Sequence, residues 1–136
     1  MKRNFTLLFA ALGLFFTAQT QAQTTPSLPT LKSEYQSCLD QGEAMDQCAL
    51  TYYQKVDQLL NQVYQKVYKK LSKSEQVQLK TAQRAWLQQR DAYFTTTYTA
   101  MVNEGKFDPN SRDFQMVYND KRCSYVYARI EALLKK

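Results

Sequence analysis

Residues 48–71 read CALTYYQKVDQLLNQVYQKVYKKL. Cys48, Tyr52, Val56, Leu59, Leu60, Val63, Tyr64, Val67 and Leu71 recur at steps of three and four, while Gln54, Lys55, Gln58, Gln62, Lys66 and Lys69 take the opposite side. That period places every apolar group on one stripe of an α-helix, and a helix with one greasy stripe needs a partner to cover it. Lys69 and Lys70 close the run, where cations offset the negative pole of a helix.

The partners are written on either side. Ser72 followed by Glu75 has the spacing of a capping box, so a third helix is expected to start at once and return antiparallel to the second. Its inward stripe is expected to be Leu79, Ala82, Trp86, Tyr93, Phe94, Thr97 and Met101, with Gly105 closing it; the β-branched Thr95, Thr96, Thr97 and Thr99 mark its last turns as the place to fray or bend. Asp108 and Pro109 suit the cap and first position of a last helix that buries Phe114, Val117, Tyr118, Tyr125, Val126, Ile130 and Leu133. Upstream, a short helix over 31–39 ends at Gly42, and QTTPSLPT at 23–30 reads as a flexible leader with two prolines. No stretch alternates apolar and polar residues. The expected fold is therefore all-α: one domain over 31–136, a small antiparallel bundle of one short and three long helices.

Residues 1–22 read as a signal peptide, because Lys2 and Arg3 precede an apolar run from Phe5 to Phe16, and Thr20 and Ala22 supply small residues for cleavage after Ala22. The run is well short of the roughly 20 residues that cross a bilayer as a helix. A periplasmic or secreted protein is expected, its formal charge of +6 falling by two with Lys2 and Arg3. In that oxidising setting the three cysteines favour a disulfide. Cys38 and Cys48, flanking Gly42, are the favoured pair ahead of any pairing with Cys123, which is then left free. With no histidine and no paired short cysteine spacings, a metal site is disfavoured, no cofactor is expected, and export argues against a nucleic-acid partner.

Two polar clusters stand out. Asp57, Asn61 and Tyr64 share a face of the second helix, and Gln83, Trp86 and Arg90, followed by Asp91, share a stripe of the third. Arg90 near a core-facing side needs a carboxylate, and Asp57 across the bundle is the expected one. In chain order, Cys38, Cys48, D-x-x-L-N-x-x-Y at Asp57–Tyr64, Q-R-A-W-L-x-x-R-D at Gln83–Asp91, Cys123 and R-I-x-x-L at Arg129–Leu133 resemble the LprI-like family across nearly the whole expected mature chain. The resemblance implies a small exported helical domain named for a lysozyme inhibitor. This chain departs from it at three points. Tyr93 and Phe94 stand where the family usually has a cysteine, leaving Cys123 without that partner; a Gly-Gly after the third helix is reduced to Gly105 and Lys106; and the stretch from Cys123 to Arg129 is short.

The seven residues Asp57, Asn61, Tyr64, Gln83, Trp86, Arg90 and Asp91 are expected to be a structural polar network that fixes helix register, ahead of a ligand site. With Arg candidates beside both aspartates and no nucleophile–base pair, no catalytic residue is expected, and the protein reads as a non-enzyme. The 103–112 loop, with Phe107 between Lys106 and Arg112, is a candidate partner-binding loop, although an ordinary turn is favoured. The family name suggests inhibition of lysozyme or another wall hydrolase by binding, but animal lysozymes are basic, so a net-positive inhibitor needs a locally acidic patch. The alternatives are a structural or chaperone-like periplasmic protein, or an immunity protein against a wall-degrading effector.

Overall fold

The computed structural model describes residues 26–136; the expected signal peptide at 1–22 lies outside the described residues. Four helices follow one another: α1 (Leu28–Leu39), α2 (Met45–Lys70), α3 (Lys73–Glu104) and α4 (Arg112–Leu134). Among the described residues there is no strand, and no helix is long and apolar enough to cross a membrane.

Local chemistry sets each boundary. The Ser27 hydroxyl accepts the Thr30 N–H, and Pro29 occupies the first turn, where a missing N–H costs nothing. The helix therefore opens within the stretch read as leader, and Leu28 to Thr30 belong to α1, with Leu28 buried in the core. Ser72 and Glu75 form the expected capping box. The start of α4 differs from expectation. The Asp108 carboxylate accepts the Asn110 N–H at 2.7 Å and so closes a turn around Pro109, while the Ser111 hydroxyl accepts the Phe114 N–H and caps the helix three residues later. The threonines do not break α3, which runs unbroken to Gly105 in the left-handed region (φ 62°); the Thr95 hydroxyl bonds back to the Asp91 carbonyl.

The contacts fix the directions. Tyr53 meets Phe94 and Asp57 meets Arg90, so α3 runs antiparallel to α2, as expected; Trp86 meets Tyr125 and Tyr98 meets Phe114, so α4 runs antiparallel to α3. Consequently α2 and α4 are parallel, and they form the most extensive helix pair. Against this pair α1 packs through Leu28 and Leu31, with Tyr35 stacked on Tyr52 of α2 and bonded to Asp120 of α4. The apolar centre is Val56, Leu59, Leu60 and Val63 of α2, Leu79 of α3, and Cys123, Val126, Ile130 and Leu133 of α4. The inward stripe expected for α3 is only partly covered. Leu79 and Met101 are buried, Trp86, Phe94 and Thr97 are half-buried, and Ala82 and Tyr93 lie on the exposed side. Rings and guanidinium groups, rather than aliphatic side chains, fill the space between α3 and its neighbours, and their length holds the helix further out.

Cys38 and Cys48 are joined, tying the end of α1 to the start of α2. Closing so short a loop stabilises the fold by about 3 kcal/mol in the chain-entropy view. Gly42 turns the connection at φ 71°, and Ala44 follows at φ 46°, a left-handed conformation that costs a residue with a Cβ roughly 1–2 kcal/mol. Ala44→Gly is expected to raise stability by about 1 kcal/mol in urea unfolding; no gain would mean that the loop does not hold this conformation in solution.

Candidate functional site

Three polar clusters emerge from these helices. In the first, Arg90 grips its neighbour Asp91 through Nε and Nη2 at 2.9 and 2.8 Å, and its Nη1 lies 3.6 Å from Asp57 Oδ1. Oδ1 of Asp57 is buried without a hydrogen bond, so the cross-helix pair is ionic attraction rather than a bonded clasp. The Arg90 guanidinium also lies over the rings of Trp86 and Phe94. Gln83 is held elsewhere: its Oε1 accepts from Arg129 Nε and Nη2 at 2.9 and 2.8 Å, linking α3 to α4. Arg129 in turn covers Trp86, whose ring stacks on Tyr125, and burial lowers the Arg129 pKa. Asn61 is exposed and bonds the Asp57 carbonyl of its own helix, and Tyr64 stands beside Tyr68. Asp57, Arg90 and Asp91 thus come together, Gln83 and Trp86 are joined to Arg129, and Asn61 and Tyr64 stand apart.

Sequence reasoning missed Arg122. Its guanidinium carbon sits 3.8 Å from the Tyr53 ring centre, 4.9 Å from Phe94 and 5.4 Å from Tyr118, and Nη1 donates to buried Asn119. One cation thereby joins α2, α3 and α4 through their rings. The signal was present: Tyr118 and Arg122, like Tyr125 and Arg129, are four apart on one helix face.

The second cluster lies between α1, α2 and α4 beside a cleft of about 530 Å³. The Tyr35 hydroxyl donates to Asp120 at 2.7 Å, its ring stacks on Tyr52 at 4.6 Å, and Cys123 is buried and free. Burial, with the Asp120 charge adding to it, pushes the Cys123 thiol up to about 12. Burial likewise raises the phenols of Tyr35, Tyr52 and Tyr53. Each group holds its proton in the fold and releases it more readily when unfolded. Their contribution is therefore complete below the ordinary thiol and phenol pKa values and is lost as pH climbs towards the folded ones. The melting temperature is expected to fall steeply above about pH 9, and less steeply in a Cys123→Ala, Tyr35→Phe variant. The same thiol should resist iodoacetamide until the chain unfolds; rapid native labelling would contradict this burial.

The third cluster occupies the end where α2 and α4 begin and α1 and α3 finish. Arg112 Nε donates to Asp46 Oδ1 at 2.9 Å, pinning the start of α4 to the start of α2; this bond lowers the Asp46 pKa. Arg112 is thus committed within the molecule, while Lys106 lies over the half-buried Phe107 ring. Between the two connections opens a cleft of about 580 Å³ lined by Glu43, Asp46, Asp113, Met45, Met116 and Arg112, with the left-handed Gly42 and Ala44 on its rim. This end carries Asp40, Glu43, Asp46, Glu104, Asp108 and Asp113 against Lys106 and Arg112. The far end carries Lys66, Lys69, Lys70, Lys73, Lys135 and Lys136 against Glu75 and Glu131. A net-positive chain is therefore polar end to end.

A family model described as lysozyme inhibitor LprI matches residues 33–133. No curated protein and no solved structure matches the chain. The match takes in all of α2 and α3, nearly all of α4, and both bonded cysteines. The chain belongs to the lysozyme inhibitor LprI family.

Proposed function

We propose that this is an exported, non-catalytic protein that inhibits lysozyme, or a wall hydrolase of similar basic charge, by seating its acidic loop end on the enzyme. The observation that carries this reading is the acidic cleft around Glu43, Asp46 and Asp113. Net charge opposes association with a basic enzyme, yet a polarised molecule rotates as it approaches, and the local field at the acidic end governs the encounter. Met45, among the more exposed large apolar side chains, and half-buried Met116 supply soft apolar contact within the acidic rim. An apolar centre ringed by charge suits a protein partner. The disulfide and the Asp46–Arg112 bond hold both sides of the cleft before binding, which limits the entropy lost on association.

The test is titration of lysozyme with the purified protein while muramidase activity on cell walls is followed. Stoichiometric inhibition that weakens as salt rises is the expected result. Unchanged activity under a large molar excess would end the proposal for lysozyme.

A further inference from the structure

We infer that the opposite, basic end of the bundle docks on a membrane surface bearing phosphate headgroups, leaving the acidic cleft pointing away from it. This inference rests on the charge map and the exposed side chains, and not on inhibition.

Lys66, Lys69 and Lys70 leave the end of α2, Lys73 opens α3, and Lys135 and Lys136 follow α4. The parallel course of α2 and α4 gathers these three segments at one end, and all six lysines are exposed. Among the described residues, none of the six forms an ion pair within 4.0 Å. Of the two acids at this end, Glu75 is spent on the Ser72 hydroxyl and backbone N–H, and exposed Glu131 lies one turn before Lys135, leaving six lysines against two carboxylates. Helix electrostatics accounts for part of the cluster only. Lys69 and Lys70 offset the negative pole of α2, but Lys73 sits at the positive pole of α3, where a cation is unfavourable.

A second observation selects a lipid surface among anionic partners. The two most exposed large apolar side chains, Val77 at 67% and Leu134 at 60%, belong to this same end, on the first turns of α3 and the last residue of α4. A soluble polyanion gives such groups nothing, whereas a headgroup layer accepts aliphatic side chains beneath a ring of lysines.

The test is cosedimentation of the purified protein with vesicles of phosphatidylglycerol and phosphatidylcholine mixed one to two, against pure phosphatidylcholine and against soluble polyphosphate. Binding to the mixed vesicles alone is expected. With each lysine near such a surface worth about fivefold in partitioning, Lys66→Glu, Lys69→Glu and Lys73→Glu together should cut it about a hundredfold or more. Lys32→Glu, Arg84→Glu and Lys121→Glu change the net charge equally on the exposed body and should cost far less; Leu134→Ser should weaken binding severalfold. Helical content by circular dichroism confirms that each variant is folded. Equal losses in the two triple variants would overturn the inference, as would polyphosphate binding as tight as vesicle binding, or no vesicle binding at all. Muramidase inhibition measured in solution without vesicles stands or falls separately.

Discussion

Phe114→Ala is expected to destabilise the protein by about 4 kcal/mol and to lower its melting temperature by roughly 15 °C. Phe114 is fully buried, its ring meets Tyr98 edge-on at 5.2 Å, and its N–H donates to the Ser111 hydroxyl that caps α4. It lies outside the aliphatic centre, under the end where the loops gather; Cys48, Ala49 and Met101 are the other buried apolar residues outside that centre. Alanine there leaves a void that the Tyr98 and Tyr118 rings, fixed on two different helices, cannot close by small shifts, which is the circumstance that makes the cost high. The control is Val77→Ala, at a side chain 67% exposed, which should change stability by less than about 0.5 kcal/mol. Urea unfolding of both variants decides the matter: a loss below about 1.5 kcal/mol at Phe114 would mean that the α3–α4 end is loosely packed.

The contrast between these two residues also explains how much could be read from the sequence. For the aliphatic members of the α2 and α4 stripes burial is the dominant interaction, and a period of 3.6 finds them; Val56, Leu60, Val126, Ile130 and Leu133 are all buried as that period requires. The short loop between Cys38 and Cys48 made their pairing the natural one, and it is the pairing present. In α3 the same rule failed for Ala82 and Tyr93, because stacking of rings and guanidinium groups over about 4–6 Å sets that interface and tolerates exposure. The four-residue spacing of Tyr118 and Arg122 puts both on one face, but it does not show that Arg122 also reaches Tyr53 and Phe94, or that Arg129 reaches Trp86, on other helices. Asp108 was misread for a subtler reason: Asp before Pro suits both a helix cap and a turn, and Ser111 outcompeted it by bonding Phe114.

The acidic cleft was beyond any local reading. Glu43 and Asp113 are 70 residues apart, and they approach because one intervening helix, α3, returns the chain and makes α2 and α4 parallel. Reversing those two charges is therefore the sharpest test of the proposed function. Glu43→Lys with Asp113→Lys is expected to weaken inhibition of lysozyme by at least a hundredfold at low salt, since like charges facing across an interface cost several kcal/mol. Asp46 is left in place because its bond to Arg112 holds the two connections together, and losing it would confuse a missing contact with a loosened cleft. Lysine at position 113 opposes the positive pole of α4 and should cost up to about 1 kcal/mol of stability, which the disulfide and the aliphatic core absorb without unfolding. Most of the loss should appear as slower association that converges with the parent protein as salt is raised, because distant charges act on the encounter and salt screens them over about 10 Å. If the double variant inhibits as well as the parent at low salt, the acidic end does not contact the enzyme, and inhibition, where observed, belongs to the aromatic face of α3 or the Lys106–Phe107 turn.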